Sequence, residues 1–187
     1  MMATAANSAV PKGKGGRGDL HETVLDALGQ RVVTGDIPEG TVLRLAELEA
    51  QFEVSRGVVR EAVRVLESMQ VVRSRRRVGV CVLPQAQWDP YAPRVIRWRL
   101  AGPQRLRQLN WINELRSAIE PVAAKLAAQR ATPEQCGLLT GAVIGMTASA
   151  RAGDLETYLQ HDQQFHRTVL AGSGNPMFRG LAAAVEE

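Results

Sequence analysis

The sequence predicts a mainly α protein in two parts: a small helical domain that ends in a β-hairpin, followed by an all-α helical bundle. Three observations predict it. Between Ser55 and Val82 a helix with an apolar back and a basic front runs into two short β-rich stretches around a glycine. Pro84, Pro90, Pro93 and Pro103 then interrupt the chain. From Gln104 onward, apolar residues recur at spacings of three and four, the period of a helix face.

The first elements lead up to the basic helix. Residues 1–18 are rich in Ala, Ser, Gly and Pro and close on Lys12, Lys14 and Arg17, which reads as a flexible basic arm. Asp19 is placed to cap a helix on which Leu20, Val24, Leu25, Leu28 and Val32 share a face. Gly35-Asp36-Ile37-Pro38-Glu39-Gly40 stops it. Leu45, Leu48 and Phe52 mark a second, short helix.

Ser55 then reads as an N-cap whose hydroxyl accepts from the first turn. Val58, Val59, Ala62, Val63 and Leu66 make the apolar face of the helix it opens. Arg56, Arg60 and Arg64, four apart, drift only about 40° per step and share the opposite face. Val71-Val72-Arg73 and Val80-Cys81-Val82 read as two strands, with Arg75, Arg76 and Arg77 at the tip between them. Residues 55–77 hold seven Arg against two Glu, whereas the whole chain carries only +4. A basic helix stripe of this kind suits the DNA major groove, where arginine donates two parallel hydrogen bonds to guanine O6 and N7. The plainer alternative is a solvated amphipathic helix followed by an arginine-rich loop.

The order of these elements, and Val54-Ser55-Arg56, Val59-Arg60-Glu61-Ala62, Leu66-Glu67 and Gly79 within them, resemble the winged helix-turn-helix of the GntR family of bacterial transcription regulators. The resemblance implies a DNA-binding domain over residues 19–84, with Ser55, Arg56, Gly57, Arg60, Arg64, Arg75, Arg76, Arg77 and Gly79 at the DNA. It departs from the family at the second helix. Ala46 stands where the family often has an arginine that contacts DNA, and Arg44, two residues earlier, is the candidate substitute.

Residues 85–103 read as a linker with a short helix from Arg94 to Leu100, packed by Ile96 and Trp98. Trp88, Trp98 and Trp111 read as packing residues at the junction of the two parts. A long helix follows from Gln104 to Arg130, carrying Leu106, Leu109, Ile112, Leu115, Ile119, Val122, Ala123 and Leu126, with a kink expected at Pro121. Thr132-Pro133-Glu134-Gln135 is a capping box opening a helix to about Ala152. Asp154 opens another to about Leu170, and a last one begins near Met177.

In this half Glu114-Leu115-Arg116, Glu120-Pro121, Asp162-x-x-Phe165-His166 and Ser173-Gly174-Asn175-Pro176 resemble the FCD effector domain of the FadR-type branch of the same family. Gln87-Trp88-Asp89 to Arg97-Trp98 also looks like the linker of galactonate-responsive repressors. Asp162 and His166, four apart on one helix, can hold two positions of one divalent metal such as zinc; in isolation such a pair is more often a hydrogen bond or two surface residues. The resemblance implies that they are the first two ligands of a metal site. Its other two ligands are histidines of later helices, and with only His21, His161 and His166 in the chain, the expectation is a truncated domain over 104–187 with an incomplete site. Arg116 matches an arginine that in similar repressors faces the ligand cavity; it also stands four before Glu120, the spacing of an internal ion pair.

Composition bounds the rest. At 187 residues the chain has room for one large domain or two small ones. Cys81 and Cys136 fit neither a metal finger nor a disulfide framework and read as buried apolar residues in a reducing compartment. No apolar run approaches the ~20 residues that span a bilayer, and the N-terminus has no signal-peptide core, so a cytoplasmic protein is expected. The reading is a homodimeric regulator, not an enzyme, that binds palindromic double-stranded operator DNA and answers to a small carboxylate such as a sugar acid. Two other readings stay open at this point. One is a metal-dependent hydrolase built on Asp162 and His166. The other is a nucleic-acid binder without sequence specificity.

Overall fold

The computed structural model describes residues 17–185. The chain divides into two compact units between Asp89 and Pro90. The basic arm expected over 1–18 lies, through residue 16, outside the described residues. Arg17 and Gly18 belong instead to the first helix, α1 (Arg17–Val33), so Asp19 is not its N-cap.

In the first unit α1 buries Val24, Leu25, Leu28, Val32 and Val33. It ends where Gly35 takes a positive φ of 90°. A strand absent from the sequence expectations, β1 (Val42–Leu43), follows, then α2 (Leu45–Phe52), α3 (Arg56–Ser68), β2 (Val72–Arg75) and β3 (Gly79–Val82). The three strands form an antiparallel sheet in the order β1-β3-β2, with Val42 opposite Cys81 and Arg75 opposite Gly79. Helix α3 packs against α1 and α2 through Val58, Val59, Ala62, Val63 and Leu66, all buried. Trp88 is buried in this unit too, its indole N–H donating to the Leu83 carbonyl at 2.8 Å.

Gly79 is fixed by backbone approach. Its φ is +132°, and a Cβ there would sit 2.7 Å from the Leu43 carbonyl oxygen on β1. A side chain would therefore strain the wing and push away the strand beside it.

The second unit is helical: α4 (Pro93–Ala101), α5 (Arg105–Arg130), α6 (Pro133–Ala152), α7 (Leu155–Gly172), α8 (Pro176–Gly180) and α9 (Ala182–Val185). The expected capping box opens α6: the Thr132 hydroxyl accepts from the Gln135 N–H, and the Gln135 side chain accepts from the Thr132 N–H. Asp154 caps α7 by accepting from the Thr157 N–H at 3.0 Å. Helix α5 continues through Pro121. Its apolar residues divide: Ile112 and Ala123 are buried, while Leu106 and Val122 are exposed. Ala123 joins Val169 and Leu170 of α7 in one core cluster, flanked by Leu115, Ile119 and Phe165. Full burial of a side chain such as Leu170 is worth about 1.5–3 kcal/mol. A second cluster joins Ile96 of α4, Ile112 of α5 and Ala184 of α9. Cys136 is exposed on α6, correcting the expectation that both cysteines are buried; Cys81 is half-buried on β3.

Candidate functional site

The basic face of α3 follows from its sequence. Burying the valine face leaves Arg56, Arg60 and Arg64 exposed on the other side. Arg56 Nε lies 3.7 Å from Glu49 Oε1 of α2, and Arg64 Nη1 lies 3.3 Å from Glu61 Oε2. Arg60 makes no ion pair among the described residues. Pairs this exposed are worth little and separate readily.

Ser55 holds the N-cap position through its backbone: its carbonyl accepts from the N–H groups of Val58 and Val59 at 3.0 and 3.3 Å. Its hydroxyl makes no capping hydrogen bond, contrary to expectation. The residue is exposed, and water is available to that oxygen. Gly57, in the first turn, would have only the Ser55 hydroxyl oxygen near an added Cβ, at 3.8 Å. Nothing among the described residues demands a glycine there.

The wing projects Arg75, Arg76 and Arg77, all exposed, with Arg77 at a φ of 65° in the turn. Glu67 of α3 accepts the Ser74 backbone N–H at 2.5 Å, tying α3 to the base of the β2–β3 hairpin. Sequence reasoning missed that tie, because a contact seven residues apart leaves no periodic trace. Arg44 occupies the N-cap of α2, exposed, with its Nε 4.0 Å from Glu47 Oε1.

In the second unit, Leu115, Ile119 and Ala123 on α5 meet Phe165 and Val169 on α7. Arg116 and Glu120 follow the same spacing one residue on, and Asp162 and His166 do so on α7. Both polar pairs therefore flank that apolar seam and meet across it. Arg116 Nε donates to Glu120 Oε1 at 3.1 Å, and its Nη2 contacts His166 Nε2 and lies 3.9 Å from Asp162 Oδ2. His166 Nδ1 is 2.9 Å from Glu120 Oε1, although the pair falls short of an aligned hydrogen bond. His166 Nε2 lies 3.4 Å from Asp162 Oδ1. The i,i+4 pair of Arg116 and Glu120 is legible in the sequence; its closure by His166 from another helix is not.

Asp162 and His166 do face one another, as a shared ligand site requires. The guanidinium of Arg116, however, lies against the same nitrogen and the same carboxylate. Among the described residues no group of three or more His, Cys, Asp or Glu side chains is arranged to hold a metal ion. As arranged, the cluster does not fit the metal implied by the family resemblance. His161 turns away toward α6, where Gly145 admits its ring; a Cβ at that glycine would overlap the imidazole.

Trp111 was expected only to pack. It is partly exposed, and the guanidinium groups of Arg99 and Arg107 lie 5.6 and 4.8 Å from its ring centroid. Burial, with Arg107 adding like charge, pulls Arg99 below the ordinary arginine pKa. Trp98 is buried, as expected of a packing residue.

Comparison with known proteins adds to this geometry. Residues 20–82 match the family model described as bacterial regulatory proteins, gntR family, and residues 112–187 match the FCD domain. The galactonate operon transcriptional repressor of Escherichia coli is 30% identical over 165 residues, which cover 88% of this chain and 71% of that protein. The HTH-type transcriptional regulator YieP of the same organism is 30% identical over 166 residues, covering 88% and 72%. Among solved structures, Lar, described as controlling expression of the Listeria monocytogenes agr system, superposes with a TM-score of 0.58 at 17% identity. The superposition covers 94% of this chain and 72% of that one, a likeness of fold.

Proposed function

The chain belongs to the gntR family of bacterial regulatory proteins and carries an FCD domain behind its winged helix-turn-helix, and from that premise we infer a repressor that binds operator DNA through its first unit and answers to a small organic acid through its second. The exposed basic face of α3 carries this reading. Arg56 and Arg60 stand at the start of a helix whose other face is fully committed to the core, which leaves them to read base edges. Arg64 and Arg44 flank them and meet phosphates. Gly57, unneeded for packing among the described residues, lets the first turn approach the DNA backbone, and the exposed Ser55 hydroxyl lies beside it. Arg75, Arg76 and Arg77 reach phosphate or the adjacent minor groove, since a hairpin tip is too short to scan base edges deeply.

A palindromic operator calls for two copies of the chain. Val143, Ile144, Leu155 and Leu159 are exposed on α6 and α7, and they offer the apolar surface on which a second copy would pair. The effector is a carboxylate, met by Arg116, whose guanidinium exchanges Glu120 for the ligand in a two-pronged pair. A sugar acid fits this chemistry and the name of the galactonate operon repressor. No helix among the described residues is long and apolar enough to cross a membrane. A regulator of this kind works in the cytoplasm, where the chromosome is.

Family membership favours the regulator over the hydrolase and over the binder without sequence specificity. Footprinting across the DNA upstream of the protein's own gene tests it. A short protected palindrome, released on adding D-galactonate or a related sugar acid, is expected. Even coverage of the fragment would restore the non-specific binder.

A further inference from the structure

We propose that residue 77 is where the wing gives up stability for DNA contact: the left-handed backbone of Arg77 is strained in the unbound protein, and its guanidinium meets a phosphate of the operator in the complex. The inference rests on the operator reading above and gives one residue of it a second, opposing effect on the fold. It starts from the residue types found at left-handed positions. Among the described residues Gly35, Gly40, Gly79, Gly153 and Gly174 have positive φ, which glycine adopts without steric cost. Glu53, Gln70 and Arg77 do so with a Cβ, at φ of 51°, 57° and 65°. There the Cβ crowds the following carbonyl, so each costs stability that glycine would not.

Glu53 and Gln70 follow α2 and α3, where the left-handed residue closes the helix: the Val54 N–H donates to the Glu49 carbonyl at 3.2 Å, and the Val71 N–H to the Leu66 carbonyl at 3.0 Å. Arg77 stands at the hairpin tip instead. Arg75 lies opposite Gly79, which is held close to the Leu43 carbonyl, so residues 76–78 must reverse the chain. The Val78 N–H donates to the Arg75 carbonyl at 3.1 Å, which makes Arg76 and Arg77 the two corners of the turn. The second corner takes the left-handed φ, a place suited to glycine or asparagine. The Arg77 side chain is exposed and makes no hydrogen bond or ion pair among the described residues, so no side-chain contact there offsets the strain. Charge identifies the partner. Residues 55–77 hold seven Arg against two Glu, and Arg75 and Arg76 stand beside Arg77, a surface complementary to a polyanion. Gln70 is uncharged and lies past the C-terminal end of α3, the end away from Arg56 and Arg60, so it serves as an internal comparison.

Amide hydrogen exchange and DNA binding, both measured on the full chain, test this with Arg77→Gly, Arg77→Asn, Arg77→Lys and Gln70→Gly alongside the parent. In Arg77→Gly and Arg77→Asn the amides of the β2–β3 ladder should exchange ~2–5-fold more slowly, because the tip is relieved. Both variants should bind the protected palindrome and a scrambled duplex more weakly than the parent. One lost phosphate contact narrows that gap by about 3.5-fold as salt rises from about 50 to about 200 mM. Arg77→Lys keeps charge and strain, and should exchange and bind as the parent does. Gln70→Gly relieves strain away from the DNA and should bind with the parent's affinity. Affinity of Arg77→Gly equal to the parent's would overturn the proposal, as would ladder exchange in it that is unchanged or faster. Weakening of Gln70→Gly to the level of Arg77→Gly would overturn it too, since relief of strain and not the lost guanidinium would then be the cause. A parent that binds neither duplex would overturn the operator reading itself, a result distinct from each of these.

Discussion

Replacing Arg75, Arg76 and Arg77 together with alanine isolates the wing's share of DNA binding. The three side chains are exposed, and none makes an ion pair among the described residues, so their loss removes charge and little packing. The β2–β3 ladder runs through the backbone from Val72 opposite Val82 to Arg75 opposite Gly79 and should survive. Alanine at residue 77 is no more strained at a φ of 65° than the arginine it replaces. Each phosphate contact contributes ~0.9 to the slope of log K against log salt, so three contacts contribute ~2.7. Raising salt fourfold, from about 50 to about 200 mM, should then narrow the affinity gap between parent and variant by roughly 40-fold. Fluorescence anisotropy with operator and with scrambled duplexes measures this. Both duplexes should be affected alike, because phosphate contacts carry no sequence information. A salt slope equal to the parent's would remove the wing from the interface.

Gly79→Ala should cost about 1–3 kcal/mol by urea denaturation, from backbone strain at a φ of +132° and the approach to the Leu43 carbonyl, and should weaken operator binding; an unchanged midpoint would show that β1 gives way freely. The Asp154 carboxylate is held below the ordinary value of 3.8, first by the Thr157 hydroxyl and then by the Thr157 N–H. Its contribution to α7 is therefore present above that value and lost as pH falls through the lowered one. An NMR titration of the Asp154 carboxyl should show the depression, and Thr157→Val should reduce it; a titration at or above the ordinary value contradicts the cap.

How much was legible varies with the distance over which each feature is decided. The face of α3 was readable because Val58, Val59, Ala62, Val63 and Leu66 repeat with the helix itself. The Thr132 capping box and the Asp154 cap were readable because donor and acceptor lie three residues apart. Strand β1 was not, since two residues have no periodicity and Val42 pairs with Cys81, far along the chain. The Ser55 residue type suits a cap, yet its hydroxyl direction depends on a rotamer that sequence does not encode. Arg116, Asp162 and His166 were each singled out, but as separate carboxylate and metal sites. That they meet depends on how α5 packs against α7, and the packing places the arginine where the metal was expected.

Arg60→Ala offers the most direct test of the central claim, that α3 reads operator DNA. Arg60 is exposed near the start of α3 and makes no ion pair among the described residues, so its removal should leave the fold intact. The protected palindrome from footprinting, and variants of it with single base pairs changed, supply the duplexes. Binding to the parent palindrome should weaken by ~1–3 kcal/mol, with discrimination lost at one base pair of each half-site. Affinity and discrimination equal to the parent's would mean that α3 is not the element that reads the operator.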